Sequence, residues 1–157
     1  MKNIVIIGSL LIVFNFNLQA QNINLSNNGL YCLENGTVFT GVYTSYFESK
    51  ILKAKIEVLE GKINGKVTYY YENGNVMETG SFSNNEKDGE WLRWDEAGTK
   101  IAQAFYTKGK KDATWLIWDS KGLKRYEMFY SKGEKVGKWT MWDEAGNISS
   151  EKEYAAL

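Results

Sequence analysis

The chain has 157 residues, with 19 basic and 19 acidic side chains, no histidine, no proline and a single cysteine. This balance gives no overall attraction to nucleic acid, and the lack of histidine removes the commonest general base and the commonest metal ligand. Aromatic residues make up 15% of the chain, whereas disordered segments are depleted in them, so we expect a folded protein with no nucleic-acid partner.

The first 20 residues are typical of an export signal. Lys2 supplies a positive start, residues 4–18 are almost wholly apolar, and Ala20 ends the stretch with a small residue. The apolar run is shorter than the roughly 20 residues that a spanning helix needs, although a retained membrane anchor is the alternative. We therefore predict a signal helix at residues 1–20 and a periplasmic or secreted protein after cleavage near Ala20.

Residues 21–40 form a lead-in segment ahead of the repetitive part of the chain. The segment contains Cys32, which cannot form an internal disulfide because it is the only cysteine. We expect a small thiol that is buried or half-buried, and a disulfide to another chain is the alternative. Stability must then come from packing.

From residue 41 onward the sequence repeats every 24 residues without an insertion. The units open at Gly41, Gly65, Gly89, Ala113 and Gly137. Two places later stand Tyr43, Val67, Trp91, Trp115 and Trp139, and five places after the opening residue stand Tyr46, Tyr70, Trp94, Trp118 and Trp142. A last column contains Val58, Phe82, Tyr106, Tyr130 and Tyr154. A fixed period of this length predicts a repeat architecture, with five units that start near residues 41, 65, 89, 113 and 137.

Each unit has the pattern of two strands and two turns. Residues 95–98, Asp-Glu-Ala-Gly, predict a tight turn in which the acid accepts backbone N–H bonds and the glycine takes a positive φ angle. Residues 125–130 alternate with a period of two, as in a strand, and the Lys-Gly-rich stretch at 107–112 predicts the second turn. We therefore predict an all-β fold, an elongated single antiparallel meander of repeated hairpins, preceded by the signal helix.

The repetition has a physical reason. One hairpin alone is marginal in water, so each unit depends on its neighbours to cover surface that it cannot bury itself. Equivalent aromatic residues on successive hairpins are then expected to align in ladders. The two aromatic residues of each first strand are three places apart, which predicts either aromatic side chains on both faces or an intervening bulge.

These columns resemble MORN repeats of the bacterial variant. The shared pattern is a glycine, an aromatic residue two places later, a second aromatic residue, a turn glycine, a strand ending in tyrosine and a Gly-Lys turn, and it covers about residues 29–154. Ala113 in place of an opening glycine and Asn84-Asn85 in place of a Lys-Gly turn depart from it. The resemblance implies an elongated antiparallel meander that binds proteins or membrane surfaces, and some bacterial chains of this type are described as antitoxins.

Two sets of residues are candidates for a binding role. An aromatic stripe would form a candidate binding face, although these rings can equally pack on one another and on lysine stems. The face contains Trp91, Trp115, Trp139, Tyr106 and Tyr130. The Lys-rich turns are expected along one long edge of the sheet and the acidic turns along the other, and ordinary solubility charge is the alternative. The candidate basic margin contains Lys108, Lys110, Lys111, Lys132 and Lys135.

The sequence predicts no catalytic, cofactor-binding or metal-binding residue. Cys32 has no histidine partner for nucleophilic catalysis, and the glycines are periodic turn residues, so no phosphate-binding loop is indicated. The leading hypothesis is an exported, non-catalytic scaffold that binds another protein. The alternatives are peripheral binding to anionic lipid or a cell-envelope polymer, and an antitoxin-like component of a toxin–antitoxin pair.

Overall fold

A computed structural model describes residues 22–155, and the signal helix predicted at residues 1–20 lies outside that range. A short hairpin comes first and forms a separate two-stranded sheet, β1 (Ile23–Leu25) and β2 (Tyr31–Leu33). Ten strands then form one antiparallel sheet in strict chain order. They are β3 (Gly41–Tyr46), β4 (Leu52–Leu59), β5 (Lys62–Tyr70), β6 (Val76–Ser83), β7 (Glu86–Trp94), β8 (Lys100–Thr107), β9 (Lys110–Trp118), β10 (Lys124–Ser131), β11 (Glu134–Trp142) and β12 (Ile148–Tyr154). The predicted all-β meander of hairpins is confirmed.

The turns within units follow the chemistry expected from the sequence. In the fourth unit, Asp119 Oδ1 accepts hydrogen bonds from the backbone N–H groups of Lys121 and Leu123 at 2.9 and 3.0 Å. Gly122 takes the left-handed conformation with φ 78°. Asp143 repeats this pattern in the fifth unit. These turns lie along one long edge of the sheet, which we call the acid-turn edge.

The turns between units lie along the opposite edge and are tied to the preceding unit. Lys108 and Gly109 both take the left-handed conformation, which matches the twist of the flanking strands. The N–H of Gly109 donates to the Lys87 carbonyl at 2.8 Å, and the N–H of Lys108 donates to Asp88 Oδ1 at 3.1 Å. The equivalent hydrogen bond, from a turn N–H to a side chain of the preceding unit, recurs with the acceptors Thr40, Asn64 and Asp112.

Two irregularities per unit position the aromatic side chains. The opening residue has a positive φ in all five units. Near the opening residue the pairing with the preceding unit changes register, for example between Thr79 and Ser81 opposite the start of the third unit. A second shift leaves Ile101 without a partner opposite the step from Arg93 to Trp94. Strand β7 is itself continuous from Trp91 to Trp94, so alternation places these two rings on opposite faces. Both faces therefore carry aromatic side chains, and the bulge lies in the partner strand.

The apolar core lies at the N-terminal end of the sheet. Its buried members are Phe39, Ala54, Ile56, Val58, Val67 and Trp91. The lead-in segment covers them, since Ile23, Tyr31 and Leu33 pack against this cluster. Its backbone is held in place by hydrogen bonds from Tyr31 N–H to the Gly61 carbonyl and from Gly61 N–H to the Phe39 carbonyl, both at 2.8 Å. Cys32 is buried in the same segment.

Ala113 is the one opening residue that is not glycine, and its φ of 49° is costly for a residue with a Cβ. We expect Ala113→Gly to raise the free energy of unfolding by about 0.5–1 kcal/mol, after the greater chain entropy of glycine is subtracted. Urea denaturation measures the change. The matched control is Ala102→Gly in β8, where φ is not positive and the same substitution should be destabilising. A loss of stability at both positions would contradict the assignment of strain to Ala113.

The contribution of Asp112 to the free energy of unfolding is expected to depend on pH. A hydrogen bond from the Thr107 hydroxyl, together with backbone N–H donors including that of Lys132, lowers the pKa of Asp112 below its usual value. A lowered folded-state pKa stabilises the fold above the unfolded-state pKa, and this contribution is lost as the pH falls through the folded-state value. The destabilisation by Asp112→Ala should therefore be larger near about pH 6 than near about pH 2.5 in urea denaturation. Asn64→Ala removes the equivalent neutral acceptor and should show no such dependence.

Candidate functional site

One face of the sheet carries a continuous row of aromatic rings, which we call the aromatic ladder. The first aromatic residue of a unit alternates with the last-column residue, so that two sequence columns form one row. Neighbouring ring centroids are 4.9–6.2 Å apart. The ladder contains Phe82, Trp91, Tyr106, Trp115, Tyr130, Trp139 and Tyr154. Tilted and edge-to-face pairs of this kind contribute about 0.5–1.5 kcal/mol each beyond the burial of their surface.

Each ladder tryptophan is also anchored to the preceding unit. The indole Nε1 of Trp91 donates to the Ser81 carbonyl at 3.2 Å. Trp115 and Trp139 repeat this bond at 3.0 Å, to the carbonyls of Phe105 and Phe129. The bond satisfies the one polar atom of the indole and fixes the orientation of its ring.

A lysine covers the ladder in each of the last three units. Lys87 Nζ lies 3.5 Å from the centroid of Trp91, Lys111 Nζ lies 4.3 Å from that of Trp115, and Lys135 Nζ lies 4.7 Å from that of Trp139. Each ammonium also lies over the last-column tyrosine of the unit to which that tryptophan belongs, at 4.9–5.5 Å. A cation at these distances is attracted to the ring face, by about 0.5–1 kcal/mol where the site is open to solvent.

The position that these lysines occupy in the repeat differs in character between the N-terminal and the C-terminal units. They stand two places before the opening residue, a position that Phe39 and Ile63 occupy in the first two units. Phe39 is buried in the core and Ile63 packs against it. This position of the repeat thus carries apolar residues in the first two units and lysines over the ladder in units three to five.

The residues of the predicted binding face all lie in the aromatic ladder. Trp91 and Tyr130 are buried, with 3% and 8% of their surface exposed. Trp115, Trp139 and Tyr106 are half-buried. Burial raises the pKa of Tyr106 above its ordinary value of 10.0, with smaller contributions from Glu78 and Tyr130. The rings pack on one another and on lysine stems, and their role in binding stays a prediction.

The predicted basic margin separates into two groups. Lys108, Lys110 and Lys132 are exposed at or beside the turns between units, whereas Lys111 and Lys135 reach over the ladder. Lys87 belongs with the second group but was not among the predicted site residues. The signal that identifies it is its place in the repeat, 24 residues before Lys111.

The second aromatic column has cations of its own on the opposite face. Lys100 Nζ lies 4.4 Å from the centroid of Trp118, and Lys124 Nζ lies 4.5 Å from that of Trp142. Lys124 is also paired with Glu127 at 3.2 Å. Sequence reasoning did not single out these lysines, because the placement depends on pairing between neighbouring units.

The carboxylates of the acid-turn edge have structural partners. Backbone N–H donors, foremost that of Asn147, lower the pKa of Asp143 below its usual value. Asp95 likewise accepts the N–H of Thr99 at 2.8 Å. Within residues 22–155, no three His, Cys, Asp or Glu side chains are grouped closely enough to hold a metal ion, and no helix is long and apolar enough to span a membrane.

Gly80 makes room for the first tryptophan of the ladder. A Cβ at this position would overlap the indole ring of Trp91. We expect Gly80→Ala to lower the free energy of unfolding by about 1–3 kcal/mol, because the packed ring has to move. In a Trp91→Leu background the same substitution should cost less than about 0.5 kcal/mol, since the clashing atoms are gone. Urea denaturation of the four proteins measures this coupling, and an undiminished cost in the double variant would place the strain elsewhere.

Two stretches of the chain match a family model, whereas no curated protein matches the chain significantly. The model is described as MORN repeat variant, and it matches residues 63–84 and 135–156. Both stretches begin two residues before an opening glycine, in the second and fifth units. The units between them keep the same register, in which Gly89 faces Tyr106 and Ala113 faces Tyr130. The second and fifth units therefore match the MORN repeat variant, as the resemblance seen in the sequence predicts.

Proposed function

We propose that this protein is an exported, non-catalytic scaffold, and that units three to five bind an acidic segment of another protein through the lysine-covered ladder. The observation that carries the proposal is the row formed by Lys87, Lys111 and Lys135, each held over a tryptophan of one open face. Equivalent residues two strands apart are separated by about 10 Å, so the row presents regularly spaced cations.

The charge of this row is only partly neutralised within the chain. Lys87 lies 3.7 Å from Glu78, whereas Lys111 and Lys135 have no ion pair with any residue between 22 and 155. An ammonium over an indole face still has N–H donors directed outward, and the ring restricts its motion. A carboxylate of a partner therefore meets cations that are already positioned, which lowers the entropic cost of binding.

A protein partner is favoured over a purely electrostatic surface by the aromatic rings beside the lysines. Trp115, Trp139 and Tyr106 are half-buried and leave part of each ring beside the ammonium groups. Tryptophan and tyrosine side chains are enriched in protein interfaces. The carboxylates of the acid-turn edge accept backbone bonds and the chain has no histidine, which supports a binding role over a catalytic one.

The experiment compares capture of envelope proteins by immobilised wild-type protein and by the double variant Lys111→Gln, Lys135→Gln. We expect capture of a specific partner to fall at least about tenfold, because both cations that lack an internal partner are lost. The matched control is Lys50→Gln, Lys121→Gln, which removes two lysines from the acid-turn edge and should leave capture unchanged. Wild-type capture should weaken as the salt concentration rises.

Two outcomes would contradict this assignment. Equal capture by the wild type and by the Lys111, Lys135 variant would exclude the lysine row as the binding site. Salt-sensitive sedimentation of the wild type with phosphatidylglycerol vesicles, lost in the same variant and without any captured protein, would assign the row to anionic lipid instead. N-terminal sequencing of the protein recovered from cells separately tests cleavage near Ala20.

A further inference from the structure

A cavity of about 290 Å³ lies at the acid-turn edge, between the turns of the first and second units. It is lined by Phe47, Lys53, Tyr69, Tyr70, Tyr71, Glu72 and Met77. Its wall is almost entirely apolar, formed by aromatic rings and a thioether. Its size is at the lower end of the range for small-molecule sites, which suits one ring system.

The repeat supplies an internal comparison for this cavity. A cavity in the equivalent place between the fourth and fifth units is lined by Asp119, Ser120, Lys121, Arg125 and Glu144. Lys53 and Arg125 occupy the same position of their units, and so do Glu72 and Glu144. The frame of one cation and one acid is thus shared, whereas the wall is polar in one cavity and aromatic in the other.

The difference comes mainly from one position of the turn. Units three to five have Asp95, Asp119 and Asp143 there, and each carboxylate accepts backbone hydrogen bonds. Phe47 and Tyr71 stand at this position in the first two units and cannot make those bonds. The backbone of the turn is nevertheless the same, since Phe47 N–H donates to the Ile51 carbonyl at 2.9 Å, as Asp95 N–H does to that of Thr99.

The rim of the aromatic cavity carries one cation without an internal partner. Lys53 Nζ lies 5.6 Å from the centroid of Phe47, and it forms no ion pair within residues 22–155. Glu72, in contrast, accepts a hydrogen bond from the Ser49 hydroxyl at 2.6 Å. A ligand that combines an apolar ring with a carboxylate would fill the cavity and neutralise Lys53 at once.

We propose that the cavity bounded by Phe47, Tyr70 and Met77 binds an aromatic side chain of a partner polypeptide, with a neighbouring carboxylate of that segment paired to Lys53. An aromatic ring makes favourable tilted contacts with the surrounding rings and with the sulfur of Met77. A sugar ring is disfavoured, because its hydroxyl groups would face carbon and lose their hydrogen bonds to water. The site lies at the edge opposite the turns between units, and it does not depend on the proposed role of the lysine-covered ladder.

The test uses purified protein labelled with ¹³C at the methionine methyl groups and 3-phenylpropionate as the probe. Met77 lines the cavity, whereas Met128 and Met141 belong to the fourth and fifth units and serve as internal references. We expect a saturable shift of the Met77 resonance and unchanged Met128 and Met141 resonances. The neutral analogue 3-phenylpropanamide should bind at least about threefold more weakly, because it lacks the charge that Lys53 would pair with.

Two variants test separately the contribution of the apolar cavity wall and that of the Lys53 charge to ligand binding. Phe47→Asp installs the acid that units three to five carry at this position, so it should keep the turn and abolish the Met77 shift. Lys53→Gln should leave ring binding in place and make the affinities for the acid and the amide equal. If Phe47→Asp fails to fold, the Lys53→Gln comparison still tests the proposal.

The proposal is overturned by any of three results. The first is no saturable Met77 shift with 3-phenylpropionate. The second is an equal shift of Met128 and Met141, which indicates nonspecific contact. The third is a Met77 shift with methyl glucoside but not with 3-phenylpropionate, which would make the cavity a carbohydrate site. The outcome of the capture experiment on the lysine row does not affect the interpretation of these NMR results.

Discussion

The contact of aromatic rings between successive hairpins is the interaction on which the rest of the structure depends. Tyr106 lies between Trp91 of its own unit and Trp115 of the next, and Tyr130 lies between Trp115 and Trp139 in the same way. A unit in the middle of the sheet is therefore incomplete without both neighbours. A two-stranded hairpin is marginal in water, and this shared packing is what allows a long sheet to persist with a small core.

The same side chains serve packing and display in the C-terminal units. Lys111 and Lys135 shield the rings of the ladder from water with their stems, and they hold their ammonium groups in a fixed row. In the first two units Phe39 and Ile63 take the equivalent position, where Phe39 is part of the buried core and Ile63 packs against that core. One position of the repeat thus decides whether a unit contributes to the core or to a charged surface.

Much of this fold could be predicted from the sequence, because its signals are local. The spacing of glycines and the acid at each turn specify hairpins through the conformations that only a few residues adopt at low cost. The register between units was not predictable, since it depends on bulges whose position no local pattern specifies. For that reason Trp94 could not be assigned to a face, the interleaving of the tryptophan and tyrosine columns was not foreseen, and Lys87 was missed. The cavity beside Phe47 depends on four separate stretches and has no local signature.

The uneven distribution of the core gives the molecule a direction of assembly. The buried residues of the core cluster belong to the lead-in segment and to the first three units, which are synthesised before the rest. A nascent chain can form this part first, and each later hairpin then adds to an existing template with only one new neighbour to find. Vectorial growth of this kind keeps sequence separations short, so the sheet avoids the slow search for distant partners that delays most β proteins.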